Sequence, residues 1–566
     1  MAAPHAIRDF DGVVDVVGGF GRYQKLIVFF VLCPALFPCG FFNFNIVFLA
    51  ATPDVYGCAL PISNFTADDL EQFAPIERRN GENARSRCVM YDLDYATLSR
   101  DDVLGEVNRS RGNETSKLKT IPCTNGWVYS KSVYTSTVVT EWDLVCNREV
   151  LASVAFAAST LGGLFGTLLW AFLADRYGRK LAYFSMVGFQ LAFGVATAFA
   201  PNLISFYIFR FASGMCSEFC YTLVLLMALE ITGTKTRALM SVICSVAYTA
   251  SVLVVIGLGY AVRTWNGFAL ISSAPLFVLA LLWPFLPESP RWLLAQKRYP
   301  ITELEEYLKK VARINGKNLD PKFEADLPEI LRKIDESEHA VKTSVADLFR
   351  TPNLRKKTLI LSFINFCNLG VFSGLNLFEP AFGNQPHYNA LLANLVELPP
   401  YVFARFACDR GGRRLSLFYP MLLCSIFCLA TSGMPASQTT TILGLSLTAK
   451  LCITLTFLVA EVYEEELFPT VIRGQGHSFT IVISQIAGIM VPFVVMLGQH
   501  YAVLPLIVFG ILCIIAAASV LFLPETAGKE LPQTLQDGES FGEDMTWKKI
   551  LTLVPTRRRK GRRASQ

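Results

Sequence analysis

Long apolar stretches separated by short polar ones dominate the pattern along the chain. About twelve runs of roughly 20 apolar residues occur, the length needed to cross the hydrocarbon core of a bilayer. Hydrophobic residues make up 52% of the chain and charged residues 17%, an unusual balance for a soluble protein. The pattern predicts an all-α membrane protein with 12 transmembrane helices, at 25–51, 150–174, 181–200, 203–229, 238–261, 266–286, 358–379, 388–408, 415–434, 441–462, 476–498 and 502–523.

The first apolar run is interpreted as a membrane span. Residues 1–22 are mixed and polar, and the run from Leu26 to Ala51 is too long for the apolar region of a signal peptide. The predicted organisation is a cytoplasmic N-terminus at 1–24, a six-helix bundle at 25–286 that includes a loop at 52–149, a cytoplasmic linker at 287–357, a second bundle at 358–523 and a basic tail at 524–566.

The placement of basic residues predicts the orientation. Arg179 and Lys180 follow the second span, and Arg413 and Arg414 follow the eighth, whereas the short loops on the other side are almost uncharged. Short loops rich in Lys and Arg stay in the cytoplasm. Both termini are therefore predicted to be cytoplasmic, and the protein is predicted to lie in the plasma membrane.

The loop at 52–149 is then extracellular, and its composition agrees. It holds the sequons at Asn64, Asn108 and Asn113, which predict glycosylation. It also holds four cysteines, which permit three disulfide connectivities. The other eleven cysteines lie in predicted helices, where small buried apolar residues are expected.

The cytoplasmic segments carry amphipathic and basic patterns. Residues 301–315 and 322–340 predict amphipathic helices that cap the inner face. The tail ends in a basic run from Arg557 to Arg563, which either anchors it to anionic lipid or flanks a phosphorylation switch at Ser565.

One charged turn occurs twice. Asp175-Arg176-Tyr177-Gly178-Arg179-Lys180 is matched 234 positions later by Asp409-Arg410-Gly411-Gly412-Arg413-Arg414. The pairs Glu230/Arg237 and Glu466/Arg473, and the segments Pro287-Glu288-Ser289 and Pro524-Glu525-Thr526, recur at nearly the same offset. The chain therefore contains two parallel six-helix pseudo-repeats, the arrangement of an alternating-access transporter.

The matched charges predict an inner gate. Topology alone would explain the basic residues but not acidic residues at matched places, whereas a lattice of ion pairs that form and break would bias a rocking motion. The predicted gating residues are Asp175, Arg176, Arg179, Glu230, Arg237, Asp409, Arg410, Arg413, Glu466 and Arg473.

Ionisable residues inside the spans are candidates for a substrate site, because each costs about 2.5–3.5 kcal/mol on insertion. Glu218, Glu397 and Glu461 lie within spans, Glu379 lies at the outer end of the seventh, and Lys450 is the main basic residue. Alternatives stay open: Glu397 as a structural partner of Arg405 or of the backbone, Lys450 as a partner of Glu461, Glu379 reaching outer water, and Glu218 or Glu461 as a proton-coupling site.

Aromatic and amide residues could complete this site. Tyr221 shares the helix face of Glu218. Tyr221, Tyr248 and Phe378 could attract a cation through their ring faces, and Asn43 could donate a hydrogen bond to a substrate. The excess of acidic over basic residues favours a cation, or a zwitterion whose carboxylate meets Lys450, over an anion.

The doubled turn resembles the major facilitator superfamily. The stretch Thr140-Glu141-Trp142-Asp143-Leu144-Val145-Cys146, after Cys123-x-x-Gly126-Trp127, resembles the organic ion transporters of solute carrier family 22, and Pro287 to Leu294 resembles both that family and the sugar porters. The resemblance implies the major facilitator fold and, among disulfides, Cys58–Cys123 and Cys88–Cys146. It also implies that Glu218 replaces a lysine of cation transporters, and that Gln485 is neutral where such transporters have Asp and anion transporters Arg.

This sequence departs from the family in places. Four cysteines in the first loop replace the usual six, and Ala171 and Arg405 stand where the superfamily turn usually has Gly.

The function predicted is secondary transport of small organic cations or amines, without a cofactor, a metal or nucleic acid. No catalytic constellation occurs, which argues against an enzyme. The transport unit is expected to be a monomer in the lipid bilayer. A zwitterion or anion transporter, a sugar porter and a non-transporting sensor on the same fold remain the alternatives.

Overall fold

The computed structural model describes residues 10–62, 65–79, 82–95, 98–112, 118–233, 236–296, 301–338, 344–378, 385–435, 438–500, 503–529 and 531–542. It is dominated by helices at the predicted spans, which we number α1 to α12. Their bounds are Arg22–Leu49 (α1), Glu149–Tyr177 (α2), Arg179–Ala198 (α3), Leu203–Ile231 (α4), Arg237–Ala261 (α5), Trp265–Ala280 (α6), Pro352–Phe378 (α7), Pro386–Leu395 with Leu398–Gly411 (α8), Arg413–Ser432 (α9), Thr439–Leu467 (α10), Arg473–His500 (α11) and Leu504–Val520 (α12).

Nine of these helices in the described ranges are long and apolar enough to cross a membrane, and α6 and α12 are shorter apolar helices. The twelfth, α8, is divided. The break falls at Val396 and Glu397, and the second segment begins at Leu398 with Pro399 and Pro400 in its first turn. A proline removes a backbone donor and clashes with the preceding turn. Glu397 therefore lies at a helix break and not, as predicted, in the middle of a continuous helix.

Each set of six helices has its own apolar core. One cluster joins α1 to α6 and includes Ala390 from the start of α8, and the other joins α7, the end of α8 at Cys408, and α9 to α12. Close packing of α2 on α4 depends on glycine: a Cβ at Gly162 would lie 2.0 Å from the carbonyl oxygen of Phe211, and one at Gly214 would lie 2.0 Å from that of Ser159. Each half thus has its own core, as an alternating-access fold requires, and the start of α8 packs into the core of the first half.

The loop between α1 and α2 is a small module with its own apolar cluster. Cys58–Cys123 and Cys88–Cys146 are disulfides in the structure. Asn108 is exposed on the loop's longest helix, Arg100–Gly112, whereas Asn64 and Asn113 lie outside the described residues. Its antiparallel strand pairs are Tyr56–Cys58 with Trp127–Tyr129, Ile76–Arg79 with Glu82–Arg85, and Val89–Tyr91 with Thr120–Pro122.

Short helices cover the end that carries the doubled turns, which we call the inner end after the predicted orientation. The linker helices Ile301–Ile314 and Pro321–Glu338 fall where amphipathic helices were predicted, and they pack with the N-terminal helix Phe10–Val17. The tail helix Leu535–Ser540 contacts α7, where the Glu539 carboxylate accepts hydrogen bonds from the backbone of Asn353 and Leu354, both at 2.9 Å. Glu379, the basic tail run and Ser565 lie outside the described residues.

The free cysteines in the described ranges match their predicted role. Ten are buried and Cys33 is half-buried, all in α1, α4, α5, α7 to α10 and α12.

Candidate functional site

The centre of the molecule is lined from both halves by residues predicted for substrate binding. Glu218, on α4, is half-buried, and its carboxylate is faced by the side-chain amide of Gln485 from α11. The backbone of α2 leaves room for it, because a Cβ at Gly163 would lie 2.8 Å from the Cγ of Glu218. A carboxylate thus meets a neutral amide at the boundary between the halves.

Two tyrosines lie beside this carboxylate. The rings of Tyr221 and Tyr248 meet edge to face, with centroids 6.0 Å apart. The Tyr221 hydroxyl is 3.1 Å from the Ser245 hydroxyl, and Tyr248 hydrogen-bonds the side chain of Asn43 on α1. Aromatic faces held in this way can attract an organic cation.

Lys450 and Glu397 form an ion pair inside the second half. The Lys450 Nζ lies 3.1 Å from a carboxylate oxygen of Glu397, and both side chains are almost fully buried, at 0% and 1% exposure. Lys450 also donates to the Asn376 carbonyl oxygen at 2.5 Å. Two predicted alternatives are therefore wrong: Lys450 does not pair with Glu461, which lies about 16 Å along the same helix, and the partner of Glu397 is not Arg405.

This pair also reaches the other half. The Tyr401 hydroxyl donates to Glu397 at 3.3 Å and lies 3.0 Å from the hydroxyl of Thr249 on α5. Arg405 instead lies 3.8 Å from Asp409 on the surface of α8.

Glu461 is half-buried on α10 and lies within electrostatic reach of Tyr221 in the opposite half. One turn further on, the buried carboxylate of Glu464 contacts the His477 imidazole at 2.9 Å and accepts hydrogen bonds from Thr480, at 3.1 Å, and from Asn365. The packing of α10 on α11 brings His477 against a glutamate 13 positions away in the sequence.

Phe378 does not belong to this central group. It is buried in the core of the second half near the outer end of α7. The ring within cation–π distance of Lys450 is that of Phe372, at 5.7 Å.

Arg210, which sequence reasoning missed, is a buried cation in the first half. It lies on α4 with 1% exposure, and its guanidinium donates to the Asn45 carbonyl oxygen at 3.1 Å and to the Ser159 hydroxyl at 3.4 Å. Asn45 in turn donates to Ser272 at 3.4 Å. The hydrogen bonds that hold this charge are thus to neutral oxygens of α1 and α2. An arginine inside a predicted membrane span is the signal that could have identified it.

The first copy of the doubled turn forms a compact corner. Arg179 lies 3.1 Å from Asp175 and 3.3 Å from Glu230, and Glu288 accepts a hydrogen bond from the backbone N–H of Arg179 at 2.8 Å. Gly178 has φ of +105°, and a Cβ there would lie 2.4 Å from the Glu288 carboxylate. Burial raises the pKa of Glu288, while its hydrogen bonds from the backbone oppose that effect.

The second copy repeats the geometry. Arg413 lies 2.5 Å from Glu466, and Glu525 accepts from the backbone N–H of Arg413 at 2.9 Å. Gly412 has φ of +80° and lies against Glu525 in the same way. In both halves a carboxylate caps the N-terminus of the helix that follows the turn, where the backbone donors are free.

The remaining predicted gating residues have other contacts. Arg237 contacts Asp11 of the N-terminal helix at 2.6 Å rather than Glu230, and Arg473 donates to the Thr470 hydroxyl at 3.3 Å rather than contacting Glu466. In each half the glutamate lies at the end of one helix and the arginine, seven positions later, begins the next helix. Their spacing in the sequence therefore does not determine which residue the arginine contacts. Arg176 and Arg410 are exposed and stack on Tyr177 and Phe406.

The two halves touch toward the outer end and in the middle. The Ser153 hydroxyl donates to the Pro492 carbonyl at 3.4 Å, and a Cβ at Gly488 would lie 2.8 Å from Thr160. At the inner end, the described ion pairs of both corners stay within one half. This arrangement is closed toward the outer loop module.

Comparison with known proteins finds transporters. A family model described as "Sugar (and other) transporter" matches residues 107–536. The chain is 36% identical to the beta-alanine transporter of Drosophila melanogaster, with 94% of this chain and 89% of that protein aligned. It is 32% identical to solute carrier family 22 member 3 of Rattus norvegicus, over 94% and 96%. In the fold, it is similar to the inward-open xylose transporter XylE from E. coli, with a TM-score of 0.54 and 18% identity, over 69% of this chain and 88% of that one.

Another relative is the carcinine transporter of Drosophila melanogaster, which is 32% identical over 95% of this chain and 80% of that protein. The matched proteins are major facilitator transporters, not enzymes, and the matches support a multi-pass membrane transporter of small organic solutes.

Proposed function

Because the chain belongs to the sugar (and other) transporter family and to its solute carrier family 22 branch, we propose that it is a plasma-membrane secondary transporter that carries small organic cations and amines by alternating access, with both termini in the cytoplasm. The observation that carries the proposal is the position of the Glu218 carboxylate. This group lies at the boundary between the halves, opposite the neutral amide of Gln485.

The balance of charge around the centre supports a cationic substrate. Lys450 already contacts Glu397, so the positive charge of the second half is matched by a carboxylate within the same half. Glu218 and Glu461 both lie near Tyr221, which can add attraction from its ring. A substrate ammonium placed between them would be balanced by carboxylates in a low-dielectric setting.

Alternating access is supported by where the halves meet. Their contacts near Ser153 and Thr160 lie toward the outer end and in the middle, while the ion pairs of the corners around Arg179 and Arg413 each stay within one half at the inner end. Release of the outer contacts and approach of the corners would expose Glu218 to the opposite side.

Counterflow into vesicles, with amines, zwitterions and anions tested at fixed pH and potential, examines this proposal. Glu218→Gln should lower amine transport at least about tenfold, equal to about 1.4 kcal/mol. Glu329→Gln is the matched control, because it makes the same chemical change on the exposed side chain of a linker helix, 71% accessible. Robust transport of anions without amines would contradict the proposal, and ligand binding without flux would indicate a sensor.

A zwitterionic substrate is the second candidate, favoured by Arg210. Its buried guanidinium donates to the neutral side chains of Asn45 and Ser159, and it lies on the same helix as Glu218. A substrate with an ammonium and a carboxylate could use both charges. The relatives include a beta-alanine transporter and an organic cation/carnitine transporter, whose names include zwitterions.

A further inference from the structure

The outer ends of the two halves meet at one histidine. His387 begins α8 in the second half, and its imidazole is surrounded by rings of the first half. It stacks on Phe48 of α1 with centroids 5.0 Å apart and planes 4° from parallel. Tyr134 of the outer loop module lies at 5.5 Å and Tyr260, at the end of α5, lies at 5.8 Å.

Hydrogen bonds within the first half hold the residues around this contact in place. Arg263 donates from its Nε to the Val133 carbonyl at 2.6 Å and from its guanidinium to the Lys131 carbonyl at 2.6 Å, which holds the module against the end of α5. Ala390, one turn after His387, is fully buried and belongs to the apolar core of the first half. The start of α8 is therefore inserted into the other bundle.

We propose that His387 and the rings of Phe48, Tyr134 and Tyr260 form the outer gate of the transporter, and that this gate is closed around a neutral imidazole and opened by extracellular acid. The inference rests on the alternating-access function proposed above. It adds a named gate and a proton-dependent bias that the central site does not require.

The charges that face the imidazole favour its neutral form. The positive charge of Arg263 acts on the imidazole, and burial raises the pKa of the Tyr134 phenol. The carboxylate of Asp54 interacts electrostatically with Tyr134. His387 precedes the span predicted at 388–408. Burial lowers the pKa of His387 and Arg263 acts in the same direction, while a hydrogen bond with the backbone of Gly259 opposes them.

The sign of the pH effect follows. A histidine whose pKa is lowered in the closed gate binds its proton more readily once the gate opens. Acidification through the ordinary histidine pKa of about 6.5 therefore shifts the equilibrium toward the open gate, and the bias disappears at alkaline pH.

Access of a membrane-impermeant thiol reagent to a cysteine at position 160 tests the gate without any substrate. Thr160 lies on α2 against Gly488 of α11, at the seam that must part when the outer end opens. Labelling of Thr160→Cys is compared in the natural background and with His387→Gln, at external pH about one unit below and one unit above 6.5. The ratio between backgrounds cancels the pH dependence of the thiol itself and of the other cysteines.

The expected result is that acid raises this ratio about threefold or more, while a third background, His387→Lys, is labelled rapidly at both pH values. An unchanged ratio would overturn the proposal. So would slower labelling in acid, which would mean that the rings hold the imidazolium through cation–π attraction. Because no substrate is used, failure of the cation proposal leaves this result interpretable, and failure of the gate leaves the counterflow result intact.

Discussion

The two halves carry the same inner corner but hold their buried positive charges differently. In the second half, Lys450 is 3.1 Å from Glu397, a complete ion pair 0% and 1% exposed. In the first half, the guanidinium of Arg210 donates to Asn45 and Ser159, both neutral. The second half thus contains its own counter-charge, whereas the first half presents an arginine and the carboxylate of Glu218 along one helix.

The difference indicates that the two duplicated halves have kept the same inner corner but have different roles in their interiors. The corners around Arg179 and Arg413 repeat because each half needs the same turn and the same helix cap. The interior charges differ, because Lys450 is paired with Glu397 whereas Arg210 is hydrogen-bonded to neutral side chains. Substitutions that remove one charge at a time can test this difference.

The largest effect is expected from breaking the ion pair of the second half. Lys450→Met leaves the Glu397 carboxylate buried without its ammonium, and removal of one partner of a buried pair costs about 3–5 kcal/mol. We expect most of the protein to be lost from the monodisperse peak in size-exclusion chromatography after detergent extraction.

The double variant Lys450→Met with Glu397→Gln is the matched control, because it removes both charges and keeps the helix break. It should recover most of the folded yield. If the double variant is as unstable as the single one, the pair is not what stabilises this half.

A smaller and more selective effect is expected from the unmatched charge of the first half. Arg210→Gln keeps a hydrogen-bond donor toward Asn45 and removes a charge that is costly to bury. We expect a normal folded yield, with transport of a zwitterion reduced at least about tenfold relative to transport of the amine that lacks its carboxylate. Ser159→Ala, which removes one neutral partner, should leave the ratio of the two substrates unchanged. An equal loss of both substrates in Arg210→Gln would assign the residue a structural role.

Some features of the two halves could be predicted from the sequence and others could not, and the difference has a physical cause. The corners at Gly178 and Gly412 could be predicted, because the residues of each turn lie close together in the sequence and the pattern occurs twice. The linker helices could too, through their amphipathic pattern.

Partners across helices could not be predicted. Glu397 and Lys450 lie on different helices, and their pairing depends on how far each helix is rotated about its axis, which hydropathy does not encode. The same holds for Glu464 with His477 on α10 and α11. Arg210 differs, since the insertion cost that singled out Glu218 applies equally to it.

The smallest effect is expected at the inner end, where the N-terminal helix contacts the first half. Asp11 lies 2.6 Å from Arg237, with the two side chains 21% and 36% exposed. Partly exposed pairs contribute about 0.2–1 kcal/mol and weaken with salt. Asp11→Asn should therefore lower the thermal midpoint of the purified protein only slightly, and the difference should shrink at high ionic strength. In a double-mutant cycle with Arg237→Gln, the coupling should stay below about 1 kcal/mol. A coupling of several kcal/mol would mean that this contact, and not the corner at Arg179, holds the inner end of the first half.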